Sequence, residues 1–271
     1  MKQKVFQIAD IPDLDDALSN HEVFDDYLES TSTLIQIYSV NTTDYTLMCL
    51  RNKLIALFPN AVVVGASATA QIFNNKITNL NVVVGFTFFS KTKLSVIFES
   101  CMESDEYNAG LYISNEISNI DDVVSVMLLT TPLSLDLNKL MTGLNQSSRT
   151  VLFFGGGAAD YNASGITYVY YADKVLSKGT VAVIFSSKYL QCSVYKSLGW
   201  QSLSKEMTVT ESNGVWIKKI DGEPAFNVYS RYINIKNDSL FFKILLISLL
   251  FLTEIMRIVF ARRLMLINQE I

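Results

Sequence analysis

The sequence predicts an α/β fold of the mixed α+β type, in which mostly antiparallel or mixed sheets are flanked by helices and an extra apolar helix ends the chain. Three observations support this prediction. Short apolar runs of strand length recur along the chain, other stretches repeat their apolar residues at helical spacing, and 49% of the 271 residues are hydrophobic while 18% are charged. A chain of this length can bury a sizeable core in one large domain or two smaller ones.

The elements can be assigned in chain order. Residues 1–31 are acidic and weakly periodic, which predicts a helical lead-in, and residues 32–222 form the main predicted domain. Within it, LIQIYSV predicts a strand, YTLMCLRNKLIALFP predicts a helix that ends at Pro59, and AVVVGAS predicts a buried strand running into a turn. The runs VVVGFTFF and KLSVIFES predict two strands, antiparallel because their connection is short and polar.

The second half of this domain continues the alternation of strands and helices. VSVMLLTTP predicts a buried strand, SLDLNKLMTGLNQSS a short helix with Ser134 as its N-cap, and RTVLFFGGG a strand that runs into three glycines. Hairpin strands are predicted in ITYVYYADKVLSKGTVAVIFSS, short strands in KEMTVTES and GVWIKKIDG, and a helix in PAFNVYSRYI.

Composition and charge argue against several classes of function. The net charge is −4, so no basic face is predicted that would neutralise the phosphates of a nucleic acid. Cys49, Cys101 and Cys192 are odd in number and widely spaced, and His21 is the single histidine, so neither a disulfide framework, a metal site nor a cofactor is predicted. The N-terminus MKQKVFQIAD lacks the apolar stretch of a signal peptide, which predicts a cytoplasmic protein.

Three consecutive glycines, Gly155, Gly156 and Gly157, raise the question of a nucleotide site. A P-loop needs a lysine directly after its last glycine, but no lysine follows these glycines until Lys174. The dinucleotide-binding fingerprint needs a third glycine where Asp160 stands, and a helix opening there. Both nucleotide sites are therefore excluded.

A second turn of small residues, GASAT, resembles the nucleophile elbow Gly-x-Ser-x-Gly, but Thr69 replaces the second glycine. No histidine follows this turn to act as a base, and the sequence offers no base for any of the cysteines either. We therefore expect the protein not to be an enzyme.

The two turns share an arrangement that favours ligand binding. Small residues at strand ends allow backbone N–H groups to face a cleft, where they can hold a carboxylate or a similar anion. Tyr229 and Arg231 lie on the predicted helix after Pro224. We expect Arg231 to bind a carboxylate through two hydrogen bonds. The alternative is that both turns are corners that only pack against their neighbours. The candidate ligand-binding residues are Gly65, Ala66, Ser67, Ala68, Thr69, Gly155, Gly156, Gly157, Asp160 and Arg231.

Three motifs resemble the FIST domain, a sensory module of bacterial signalling proteins that also occurs in some eukaryotic F-box proteins. LFPNAVVVGASATAQI is similar to the family's segment of Phe-Pro, a strand and Gly-Cys-Ser-Ser-Ala-Gly-Glu-Ile, and VLFFGGGAAD is similar to its Gly-Gly-x-Ala turn. The third motif, GWQSLSKEMTVTESNGVWIKKIDGEPAFNVYSRYI, resembles its junction from Gly-Trp to Ile-Asp-Gly-x-Pro-Ala. The resemblance covers Leu34 to Asn234. It departs from the family at Ala66 (for Cys), at Thr69–Ala70 (for Ala-Gly) and at Gln71 (for Glu).

The resemblance implies a non-catalytic, cytoplasmic sensory domain that binds a small ligand, an amino acid or a derivative, for signal transduction. It also implies a signalling output domain, or a kinase or cyclase partner, in the intact protein. Residues 223–243 then correspond to the start of the FIST C region. Because no output module is visible, we expect the chain to be truncated before it.

Residues 244–271 form an apolar tail that departs from the resemblance. The uncharged run Ile244–Thr253 is shorter than the roughly 18–20 residues of a membrane-spanning helix, and a longer span would include Glu254 and Arg257. Three interpretations remain open. The tail is a frameshift product, since a shifted frame permits the Phe-Pro-Leu of FIST C, or it is a true anchor, or it is a buried helix. A true anchor makes the protein a structural or scaffold module at the inner membrane, with no ligand.

Overall fold

The chain comprises two compact units, Met1–Val194 and Tyr195–Ile271. The computed structural model describes residues 1–20, 22–40, 45–78, 82–101, 105–146, 151–162, 164–194, 200–202, 204–213, 216–233, 247–251 and 257–263.

The first unit contains two sheets packed face to face, each covered on its outer face by helices. The helices are α1 (Ile11–Asn20), α2 (Val23–Glu29), α3 (Tyr45–Leu57), α4 (Glu106–Ser118) and α5 (Leu137–Leu144). The strands are β1 (Lys2–Ile8), β2 (Ser32–Ser39), β3 (Val62–Ser67), β4 (Gln71–Phe73), β5 (Lys76–Thr78), β6 (Val82–Phe89), β7 (Lys93–Ser100), β8 (Val123–Thr130), β9 (Leu152–Gly157), β10 (Val169–Tyr171), β11 (Lys174–Leu176) and β12 (Gly179–Ser186). The first sheet has the strand order β1-β6-β2-β3-β10-β11 and the second β7-β12-β8-β9, while β4 and β5 form a separate hairpin.

The alternation of side chains along the strands explains these layers. In β2, Ile37 packs into the core shared with α1 and α3, whereas Leu34 faces the second sheet. In β8, Met127 faces the first sheet and Leu128 faces α4 and α5. Because both faces of each sheet are covered, apolar runs such as VVVGFTFF occupy strands that are buried on both sides.

The mixed α+β class is confirmed, but several local predictions are wrong. The lead-in 1–31 is not wholly helical, because KQKVFQI pairs as β1 with β6. β6 and β7 do not pair with each other: β6 pairs with β1 and β2, and β7 pairs with β12. A short connection between two strands can carry the chain into the opposing sheet as easily as it can form a hairpin within one sheet. The N-cap of α5 is Asp136 rather than Ser134, since the Asp136 carboxylate accepts the N–H groups of Asn138 and Lys139.

The second unit contains an antiparallel sheet and one described helix. Its elements are β13 (Trp200–Ser202), β14 (Met207–Asn213), β15 (Trp216–Ile220), β16 (Glu223–Pro224), α6 (Ala225–Ile233), β17 (Ile247–Phe251) and β18 (Arg257–Arg263). The strand order is β13-β18-β14-β15-β16, with β17 paired to β18. Met207, Val209, Ile220 and Val228 form its small core.

The predicted C-terminal helix is not found in the part of the tail that the structure describes. Residues 247–251 and 257–263 are instead antiparallel strands. Isoleucine, valine and phenylalanine favour strands over helices, and pairing β17 with β18 satisfies their backbone groups. Among the described helices of the chain, none is both long and apolar enough to cross a membrane.

A buried carboxylate on α2 makes stability depend on pH. Asp26 is 6% exposed, and its two carboxylate oxygens lie 2.5 Å from Lys2 Nζ and 2.7 Å from Lys4 Nζ. The hydrogen bonds from Lys2 and Lys4 lower the pKa of Asp26. The stabilisation is therefore complete above the unfolded-state pKa of about 3.9 and is lost as the pH falls through the lower folded-state pKa.

We expect Asp26→Asn to lower the free energy of unfolding at pH 7 and to flatten its decline between about pH 5 and pH 3. Urea unfolding of the variant and the wild type across this range measures both effects. Asp25→Asn is the matched control, because Asp25 is exposed and makes no ion pair with any other described residue. Parallel pH profiles for Asp26→Asn and the wild type would contradict the prediction.

Candidate functional site

The two small-residue motifs lie together where β3 and β9 end, between the two sheets. They line a cavity of about 380 Å³. The predicted residues that line it are Ala66, Ser67, Ala68, Thr69, Gly155, Gly156 and Gly157. Residues missed by the sequence analysis also line it, namely Tyr38, Ala70, Met127, Leu129 and Ala159. Ala70 and Ala159 belong to the two motifs, whereas Tyr38, Met127 and Leu129 lie on strands β2 and β8, where no motif marks them.

Strand pairing explains why distant segments meet here. β3 is parallel to β2 and β9 is parallel to β8, so each motif lies at the carboxyl end of a paired strand. The backbone then connects the two motifs directly, because the N–H of Ala159 donates to the C=O of Ser67 over 2.8 Å. The N–H of Ala158 donates to the C=O of Thr130 over 2.8 Å and fixes the end of β9 against β8.

Ser67 is 5% exposed, and its hydrogen bonds connect the first motif to Tyr168, the residue before β10. Its N–H donates to the C=O of Tyr168 over 2.9 Å, and its Oγ accepts the N–H of Tyr168 over 3.0 Å. The hydroxyl proton of Ser67 has no acceptor among the residues that the structure describes. It is therefore available as a donor at the cavity wall.

The loop after β3 supplies further donors. Thr69 and Ala70 are exposed, and their backbone N–H groups make no hydrogen bond within the described part of the chain. Ala68 differs, because its N–H donates to the C=O of Ser39 over 2.9 Å. Thr69 and Ala70 thus present two consecutive N–H groups and one hydroxyl at the cavity, an arrangement that suits an anion.

Tyr38, on β2, places a phenol on the cavity wall. Its hydroxyl oxygen accepts a hydrogen bond from Gln36 Nε2 over 2.9 Å. Burial raises the pKa of the Tyr38 hydroxyl above its ordinary value, although the bond from Gln36 opposes the shift. The phenol therefore stays protonated at neutral pH and keeps its O–H available for a ligand.

Three predicted residues do not line the cavity. Gly65 is covered by the ring of Tyr170 on the other face of the first sheet. The Asp160 carboxylate closes its own loop, since it accepts the N–H groups of Asn162 and Gly165 and the hydroxyl of Ser164. Arg231 lies in the second unit, where its guanidinium is 2.6 Å from the carboxylate of Glu223.

Gln71 stands where the family resemblance has a glutamate, and its side chain is buried. In the orientation that satisfies both amide atoms, its oxygen accepts the N–H of Val40 over 3.1 Å and its nitrogen donates to the C=O of Thr78 over 2.8 Å. A carboxylate has no proton to donate to Thr78. The amide therefore connects the end of β2 to β5.

The described residues give little support for catalytic or metal chemistry. Burial raises the pKa of the Cys101 thiol to about 11, so at neutral pH it is a thiol rather than a nucleophilic thiolate. Cys49 and Cys192 are half-buried and free, and neither lines the cavity. Across the described ranges, no three His, Cys, Asp or Glu side chains are grouped closely enough to bind a metal ion.

Comparison with known families assigns most of the chain. The sequence profile described as FIST N domain matches residues 33–223. The match ends where the start of a FIST C region was predicted, over residues 223–243, and that region stays a prediction. Comparison with curated proteins gives no match. The chain belongs to the FIST N domain family, whose members are sensory, non-catalytic modules of signal transduction.

Proposed function

We propose that this chain is a non-catalytic sensor that binds a small ligand, an amino acid or a derivative, in the cavity between the two motifs. One observation carries the proposal: two of the three motifs that mark the family, far apart in the sequence, line the same cavity. Its volume of about 380 Å³ lies within the roughly 300–1,000 Å³ typical of small-molecule sites. In the cell, we expect a signalling output domain, or a kinase or cyclase partner, to receive the signal in the cytoplasm.

Polar and apolar groups are distributed over the wall as a ligand site requires. Met127 and Leu129 provide apolar surface from β8, while Ser67, Thr69 and Tyr38 provide hydroxyl groups. Met127 and Leu129 are themselves buried, whereas Thr69 and Ala70 are exposed at the mouth. A ligand therefore displaces water from apolar surface while its polar end meets a few donors.

Gly156 offers a way to block the cavity without disturbing the backbone. A Cβ added there meets no atom within 4 Å, and strand alternation puts position 156 on the same face as Phe154, which packs between the two sheets. We therefore expect Gly156→Leu to direct an isobutyl group into the cavity and to leave the fold intact. Val175→Leu is the matched control, because it adds bulk at an exposed position of β11 that does not line the cavity.

The full-length chain should be screened by thermal shift against the amino acids and their N-acyl, keto and hydroxy derivatives. A ligand at about 100 times its Kd stabilises the folded state by roughly 2.7 kcal/mol. We expect at least one compound to raise the Tm of the wild type and of Val175→Leu, and to leave the Tm of Gly156→Leu unchanged. If no compound shifts the wild type, or if Gly156→Leu responds equally, the proposed site is wrong.

A further inference from the structure

The described residues that line the cavity offer hydrogen-bond donors but no acidic side chain. The donors that line it are the N–H groups of Thr69 and Ala70 and the hydroxyls of Ser67, Thr69 and Tyr38. Among the described residues that line the cavity there is no aspartate or glutamate. An occupant with an acceptor-rich, negatively charged end thus meets several donors, whereas a cation meets no counter-ion within the described part of the lining.

The two motifs that line the cavity contain one acidic residue, Asp160, and one glutamine, Gln71, where the family has a glutamate. The side chains of both residues make hydrogen bonds outside the cavity. Asp160 accepts three groups of its own loop, at 2.6 Å from the N–H of Gly165, 3.1 Å from the N–H of Asn162 and 3.2 Å from the hydroxyl of Ser164. Gln71 replaces the family's glutamate, and its amide is used between Val40 and Thr78. Neither position can compensate a positive charge in the cavity.

A lining with donors but no described acidic side chain favours carboxylic acids that lack an ammonium group over free amino acids. In an amino acid, the ammonium is bonded to the carbon next to the carboxylate, so a carboxylate held by Thr69 and Ala70 brings the ammonium close to the same N–H dipoles. The positive ends of these dipoles repel the ammonium, and no acidic side chain among the described lining residues offsets the repulsion. An α-keto, α-hydroxy, N-acyl or unsubstituted acid presents the same carboxylate without that repulsion.

We propose that the ligand is a small carboxylic acid whose α-carbon carries no ammonium group. The N–H groups of Thr69 and Ala70 bind the carboxylate at the exposed mouth, the hydroxyls of Ser67 and Tyr38 complete its donors or bind an α-oxygen, and Met127 and Leu129 pack against the hydrocarbon part. This inference rests on the proposed function, because it specifies the chemical class of ligand for the same cavity.

Four compounds with one carbon skeleton test the inference by calorimetric titration into the full-length chain: leucine, N-acetylleucine, 4-methylpentanoate and leucinamide. We expect 4-methylpentanoate or N-acetylleucine to bind at least tenfold more tightly than leucine, and leucinamide not to bind. Tyr38→Phe should weaken the bound acid about tenfold, whereas Val175→Leu should leave its Kd unchanged.

The outcomes separate this inference from the proposed function. Leucine binding as tightly as the acids, with Gly156→Leu abolishing it, overturns the inference and keeps the sensor site. Binding of leucinamide, or of an uncharged compound from the screen in place of every acid, also overturns the inference alone. No response to any of the four compounds or to the wider screen overturns both.

Discussion

Replacing Gly155 with alanine is expected to lower the free energy of unfolding by about 3 kcal/mol or more. Gly155 has φ of +137°, a backbone conformation that residues with a Cβ rarely adopt. An added Cβ would also lie 2.0 Å from the carbonyl oxygen of Leu128. Leu128 belongs to β8, which is paired on one side with β9 and on the other with β12, so its backbone has little room to retreat.

Gly156→Ala is the matched control for this prediction. The two glycines are adjacent in β9, but a Cβ at position 156 meets open space. Urea unfolding of both full-length variants should therefore show a large loss for Gly155→Ala and a change within about 0.5 kcal/mol for Gly156→Ala. Equal stability of the two variants would show that the glycine at position 155 is not required by the backbone of β9.

The second large effect is expected at Gly65, which lies in β3 beneath a buried aromatic ring. An added Cβ would lie 2.1 Å from the carbonyl oxygen of Ile37 and 2.7 Å from Cε2 of Tyr170. Tyr170 is 2% exposed, and the guanidinium of Arg51 lies over its ring, 5.0 Å from the ring centroid. Arg51 in turn donates to the C=O groups of Ala172 and Lys174.

We therefore expect Gly65→Ala to cost about 3 kcal/mol or more, because neither the strand β2 nor the ring can move without the loss of other contacts. Gly85→Ala is the matched control, since Gly85 is also a strand glycine of the first sheet but its nearest neighbour is Val5 Cγ2 at 4.0 Å. The readout is the free energy of unfolding from urea denaturation. A loss of similar size in the two variants would mean that the contact with Tyr170 does not explain Gly65.

Local patterns in the sequence determined most of the elements. The helical spacing of YTLMCLRNKLIALFP predicted α3, and apolar runs predicted β2, β3, β8 and β9. They were predictable because hydrophobic periodicity and turn residues act over only a few positions. The motifs around Ser67 and Gly156 were found the same way, and the family profile over residues 33–223 confirms the recognition that they supported.

Pairing between distant segments could not be predicted from local patterns, because it depends on how the strands pack in three dimensions. VVVGFTFF and KLSVIFES are neighbours in the chain, yet they enter different sheets, because each is an apolar strand that both sheets could accommodate. The described parts of the apolar tail are strands for a related reason: its short apolar runs fit a helix or a strand, and pairing between β17 and β18 selects the strand.

Within the site, the local sequence predicted that small residues would end two strands, but not what each of these residues does. Gly65 is small because Tyr170 covers it, Gly155 because its backbone takes a positive φ, and Gly156 faces an open cavity. Tyr38 could not be predicted, since in an alternating strand its phenol is indistinguishable from a core aromatic until the opposing sheet is placed. These differences arise from contacts between segments that are distant in the sequence and meet only in the packed sandwich. Local sequence patterns therefore cannot predict them.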